Sequence, residues 1–154
     1  MGLKPNCCVS IIGFNAPQWY ISAYGAIFAG GVCCGLYTTN TAETCMYALK
    51  DTQCEIVVVE NTEQLDKILK YHAECKIKSI IQYSGAIKDS LNGLVITVWI
   101  LFFYIYLRNL NCCLLIIKWE DFLNYGNDIS DNEYQTRIRT IAPNRCATLI
   151  YTVR

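Results

Sequence analysis

Ten cysteines, one histidine and nine glycines are the residues of this 154-residue chain that could act as thiols, metal ligands or a phosphate-cradling loop. Their spacing removes most of that chemistry. Cys7-Cys8, Cys33-Cys34 and Cys112-Cys113 are adjacent pairs, which rarely bridge to each other, and no CxxC occurs. His72 has no cysteine at zinc-finger spacing and no Ser or Cys nucleophile motif beside it, so it reads as a partly buried or rim histidine. Most cysteines fall inside strand or helix patterns, and no charged-then-apolar leader precedes them. They are expected to be reduced and structural, as free cysteine buries readily as a small hydrophobe. Gly13, Gly30, Gly31 and Gly35 form neither a GxGxxG nor a P-loop and read as packing and turn glycines. No catalytic residue and no metal ligand is expected from this set.

The elements that position these residues are clearest from Val9 to Asn40. Val9 to Ile12 is a short strand closed by Gly13. A helix follows, with Asn15 as its expected cap, Gln18 three residues on and Pro17 in its first turn, running to Gly30-Gly31. Val32 to Tyr37 is the next strand, and a strand, helix and strand in so few residues predicts a βαβ unit in a parallel sheet. Asn40 is expected to cap a second helix over Thr41 to Asp51, with Cys45, Ala48 and Leu49 facing inward. Glu55 to Glu60 reads as a central strand, Thr62 to Glu74 as a third helix, and Lys78 to Tyr83 as a fourth strand. The fold class expected is α/β, a parallel doubly wound sheet.

That pattern breaks after residue 85. Leu94 to Leu107 is an uninterrupted apolar and aromatic run, and Cys112 to Ile117 resumes it after Arg108 and two asparagines. Fourteen residues are short for a membrane span, which needs about twenty; 94–117 is long enough only with Arg108 at membrane depth. Beyond it, Trp119 to Asp128 reads as a short amphipathic helix, Ile129 to Arg139 as a polar surface segment, and Ala147 to Tyr151 as one more buried strand. With 13 basic and 13 acidic residues and no basic cluster, nothing argues for nucleic acid or for an electrostatic grip on anionic membranes. The length suits one core and not two ordinary domains.

GFNAPQW, AIFAGG, GLYTTN, EIVVVE with the QLDKILK helix after it, and the terminal CATLIYT together resemble the N-terminal domain of AMP-forming acyl-CoA synthetases, and among these the bubblegum-type long-chain fatty acyl-CoA synthetases. The likeness spans about 2–86 and 119–152. It implies a partial N-terminal subdomain of an adenylate-forming enzyme, with residues 1–154 as an incomplete AMP-binding-enzyme domain. In that family the last strand runs from Tyr-Thr into a loop rich in Ser, Thr and Gly that wraps the phosphates of ATP, so the resemblance makes Thr152 the nucleotide-binding residue, at the start of a phosphate loop replaced here by Val153-Arg154. ATP, Mg2+, CoA and a fatty acid are implied for a full-length enzyme, and no cofactor and no catalytic activity for this chain alone. Residues 90–117 match nothing in the family pattern; an in-frame intron read-through or a membrane-like segment would account for them. The compartment implied is the cytoplasm, with membrane association through 94–117 at the endoplasmic reticulum face as the alternative, which would make the chain a membrane-anchored, non-catalytic α/β protein.

Overall fold

The computed structural model describes residues 3–87 and 114–152. Six strands lie in one sheet: β1 (Cys8–Ile12), β2 (Val32–Leu36), β3 (Ile56–Val59), β4 (Ser79–Gln82), β5 (Leu115–Lys118) and β6 (Thr148–Ile150), in the spatial order β5-β4-β3-β1-β2-β6. Every pairing is parallel, with Val9 opposite both Cys33 and Ile56, and Ile56 opposite Ser79. The strands expected near Val9, Val32, Ile56 and Ile80 therefore stand side by side and point the same way.

Chain direction reverses after β2. The step from β1 to β2 goes one way along the sheet, while β2 to β3 and β3 to β4 go the other way. Because crossovers between parallel strands are right-handed, helices on the two legs belong on opposite faces. The packing agrees. Helix α1 (Pro17–Phe28) covers one face through Ala23 and Ala26 with Val9, Ile11, Cys33 and Val58, whereas α2 (Ala42–Asp51) and α3 (Thr62–Leu69) cover the other through Cys45, Ala48, Leu49, Leu65 and Ile68 with Ile12, Val57 and Ile80. Helix α4 (Trp119–Asn124) returns to the α1 face through Trp119, and α5 (Asp131–Arg139) leads to β6.

Several local expectations shift by a residue or more. The N-cap of α1 is Ala16, not Asn15, and makes no side-chain bond; Pro17 does stand in the first turn. Thr41, not Asn40, caps α2 by accepting from the Thr44 N–H at 3.2 Å. Ser, Thr, Asp and Asn are all competent caps, so sequence alone places this boundary only to about a residue. The third helix stops at Leu69, and a separate 3-10 turn spans His72–Glu74. The end of α1 is closed by Gly30 at φ +78°, with the Gly30 and Gly31 amides donating to the Ile27 and Ala26 carbonyls at 2.8 and 2.9 Å.

Two strands differ from expectation in kind. The last strand is not buried: Thr148, Leu149 and Ile150 are all exposed on β6, an end strand with β2 on only one side. The end of the 90–117 segment is part of the sheet, since Leu115–Lys118 pairs with β4 and buries Ile116 and Ile117. A short apolar run reads equally well as strand or helix, which is why its role was not legible. The Leu94 to Leu107 run lies outside the described residues. Among the described residues no helix is long and apolar enough to cross a membrane.

Candidate functional site

In an open parallel sheet, ligands are held beyond the carboxyl ends of the strands, above all where the winding direction switches. Here that switch lies between the neighbours β1 and β3, whose following loops leave toward opposite faces. The crevice is closed by the chain itself. After β1, the Phe14 N–H donates to Glu60 Oε2 at 3.0 Å, and Glu60 directly follows β3. From the end of β4, the Tyr83 hydroxyl donates to the Phe14 carbonyl at 3.4 Å. Gly13 makes this closure sterically feasible, because a Cβ there would stand 2.0 Å from the Tyr83 hydroxyl oxygen and 2.9 Å from the Glu60 Cβ. The Tyr83 ring leans edge-on to buried Trp119 at 6.3 Å, and Phe122 follows at 5.6 Å. Burial, and then the Glu60 carboxylate, push the Tyr83 phenol up to about 12. Tyr83 and Glu60 thus crowd the position after β1, and Gly13 is the residue that gives them room.

The other loops on this rim are tied down in the same fashion. Lys67 of α3 donates to the Thr38 carbonyl at 2.7 Å and holds the turn between β2 and α2. Thr62 and Gln82 reach the carbonyls of Ala86 and Ser84, at 3.1 and 2.7 Å, fastening the turn after β4. These tethers join residues 24 to 69 positions apart, or sit inside a tight turn, so no local sequence signal announces them. Sequence reading treats Glu60 as the acidic end of a strand and passes over Tyr83.

The exit from β6 is different. The register Cys33–Thr148 to Gly35–Ile150 brings Tyr151 level with the end of β2, and Thr152 then stands exposed at the rim. Tyr151 is anchored from behind: its hydroxyl donates to the Asp51 carboxylate and its ring lies edge-on to Tyr47 at 6.3 Å. Burial and that hydrogen bond both raise the phenol above its ordinary range. Thr152 is thus the one sequence-derived site residue, and the structure places it on an exposed, anchored strand exit.

Among the described thiols, Cys8, Cys34 and Cys54 meet in the core, where hydrogen bonds from Cys34 and Cys54 lower the Cys8 thiol to about 3 and the other two are raised. The eight described cysteines are all free, and among the described residues no group of three or more His, Cys, Asp or Glu is arranged to hold a metal ion. Burial raises the Cys33 thiol to about 11 and raises Cys45 and Cys75 as well, which favours the unreactive protonated form. His72 is half-buried, with Nδ1 2.7 Å from the Leu69 carbonyl. A cavity of about 200 Å³ lies at the opposite, amino end of the sheet, lined by Ile27, Gly30, Pro143, Arg145 and Cys146, away from the rim loops.

Comparison with known proteins places this geometry. The family model of the AMP-binding enzyme matches residues 1–153. A long-chain-fatty-acid–CoA ligase of Xenopus laevis, ACSBG2, is 37% identical over 153 residues, covering 99% of this chain and 18% of the relative. Human ACSBG2 is 36% identical over 154 residues, covering 99% of this chain and 20% of the relative. The chain thus spans about a fifth of the length of these relatives. Among solved structures, the A-PCP didomain of a carboxylic acid reductase from Segniliparus rugosus, in complex with AMP, superposes with a TM-score of 0.60 at 14% identity, over 83% of this chain and 17% of that one. A fatty acyl CoA synthetase of Mycobacterium tuberculosis does so with a TM-score of 0.52 at 13% identity, over 98% and 23%. The structural likeness establishes a shared fold, and the sequence match over nearly every residue shows that this chain belongs to the AMP-binding enzyme family.

Proposed function

We propose that the chain is a portion of a long-chain fatty acid–CoA ligase, an incomplete N-terminal domain that forms no acyl-CoA by itself. In the complete reaction ATP activates the fatty acid carboxylate as an acyl-adenylate, and the thiol of CoA then displaces AMP; fatty acid, ATP with Mg2+ and CoA are the partners of the whole enzyme. The share carried by these residues is the parallel scaffold and the entrance to the phosphate loop. What supports this reading is the exposed Thr152 on a strand exit held by Tyr151 and Asp51, at the rim where an α/β sheet holds its ligands. A polyphosphate is gripped by several converging N–H and hydroxyl donors, and Thr152 supplies one hydroxyl. The described residues therefore do not by themselves fit a triphosphate, and no catalytic step is assigned to them.

The test incubates the purified chain with a long-chain fatty acid, ATP and CoA, expecting no acyl-CoA above the blank. Turnover would overturn the inactivity. Seating the chain in place of the 153 matched residues of the Xenopus ligase is expected to give an active chimera, whose kcat/KM falls on Thr152→Val. An active chimera indifferent to that change would remove Thr152 from the site. The cytoplasm is the compartment proposed. Membrane association resistant to carbonate and lost on deleting residues 94–113 would favour an anchored, non-catalytic protein instead.

A further inference from the structure

Thr152 supplies a single hydroxyl, and a phosphoryl group is held by donors that converge from several directions. The neighbouring strand offers a second. Between β2 and β6 the register runs Cys33–Thr148, Cys34–Leu149 and Gly35–Ile150, and two residues further on it sets Leu36 opposite Tyr151 and Tyr37 opposite Thr152. Packing agrees with that continuation. Leu36 is buried in the core cluster under α2, and Tyr151 packs against the same cluster. Because side chains alternate along a strand, Tyr37 and Thr152 turn to the other face, the one on which Trp19 of α1 covers Gly35.

Tyr37 is 57% exposed, yet its backbone is fixed. Its carbonyl accepts from the Asn40 N–H at 3.0 Å, and the next carbonyl, that of Thr38, accepts from Lys67 at 2.7 Å. The other phenols at this rim are tied back, Tyr83 to the Phe14 carbonyl and Tyr151 to Asp51, whereas the Tyr37 hydroxyl bonds to none of the described residues. We infer that Tyr37 is a nucleotide-contact residue of the Thr152 site, its hydroxyl donating to a phosphoryl oxygen of ATP while Lys67 holds the turn that carries it. The inference rests on the ligase reading of the chain. A neutral phenol adds grip on the phosphate and takes no part in the attack by CoA.

Tyr37→Phe in the Xenopus chimera tests it. The ring is kept and only a solvent-facing hydroxyl is lost, so the variant should melt as the parent does. KM for ATP is expected to rise roughly threefold to tenfold, the worth of one neutral hydrogen bond, with KM for fatty acid and for CoA unmoved. An unchanged KM for ATP overturns the inference, and so does an equal rise for all three substrates, which would mark a structural role. A silent Tyr37→Phe beside an effective Thr152→Val removes Tyr37 alone, whereas a folded chimera that forms no acyl-CoA overturns the ligase reading. Hydroxyl-radical footprinting adds a readout free of turnover: MgATP should protect Tyr37 in the folded chimera, active or not. No protection by MgATP overturns the assignment, as does protection by CoA only, which would give the residue to the phosphates of CoA. A chimera that fails to fold while the isolated chain folds overturns both readings.

Discussion

The two faces of the sheet are finished in different ways. On one, α2 and α3 bury Leu49, Leu65 and Ile68 inward and turn charge outward, with Glu43 bonded to Lys70 at 2.9 Å, Lys50 to Glu74 at 3.2 Å, and caps at Thr41 and Asn61. On the other, α1 is uncapped, uncharged and apolar on its outer side as well as its inner. The ion pairs themselves stabilise little, since exposed charges are well solvated and screened by salt. Their meaning is solvation: the α2/α3 face ends in charged side chains, whereas the outer side of α1 exposes Tyr20, Ile21, Tyr24 and Phe28.

One substitution placed on both faces should show the largest difference. Ile68→Glu puts an unpaired carboxylate into the core under α3 and is expected to cost roughly 4 kcal/mol or more, enough to unfold the chain. Ile21→Glu on α1 is expected to stay within about 0.5 kcal/mol, because its side chain already meets solvent. Urea titrations followed by circular dichroism read both; equal losses would mean that the α1 face is covered in solution. Next in size is Gly13→Ala, which forces a methyl group into the Tyr83 hydroxyl and should cost about 1–3 kcal/mol, with Tyr83→Phe in the same chain recovering part of it. A full-cost Gly13→Ala that Tyr83→Phe does not relieve would move the constraint elsewhere. A smaller gain is expected from Ala16→Ser, which supplies the side-chain cap that α1 lacks; about 0.5–1 kcal/mol of added stability would bring α1 level with α2 and α3.

The smallest effect is a pH dependence at the rim. The Tyr83 phenol is raised in the folded chain, so the fold binds its proton more tightly than the unfolded chain does. The stability this contributes is fully present below about pH 10, the ordinary tyrosine value, and is lost as pH climbs through about 12. Absorbance titration at alkaline pH should show late-ionising tyrosines, with Tyr83→Phe removing one of them. An unchanged late component would show that Tyr83 is open to solvent and that the crevice beside Gly13 is not sealed.

Much of the scaffold was legible beforehand, for reasons tied to particular residues. Short apolar runs at Val9, Val32, Ile56 and Ile80, separated by helical periodicity, leave few alternatives to a parallel sheet. The inward stripe Cys45, Ala48 and Leu49 of α2 is buried as its spacing implies. Cap positions were less secure, since Asn15, Asn40 and Thr41 have similar local chemistry. β5 was hidden because Leu115–Lys118 sits at the end of a longer apolar stretch that could as well be read as part of a span. The burial expected of β6 failed for a similar reason: apolar composition says that a strand can be covered, and not whether a neighbour covers it.

Composition and periodicity by themselves settled the α/β alternation, the inner faces of α2 and α3 and the absence of a glycine-rich phosphate loop between β1 and α1, because each depends only on residues within a turn or two of one another. The sealing of the switch-point crevice, the anchoring of Tyr151 by Asp51 and the bare outer side of α1 were decided by tertiary structure. Those features depend on which distant segments the sheet order brings together, and strand order is a global outcome that no local stretch of chain encodes.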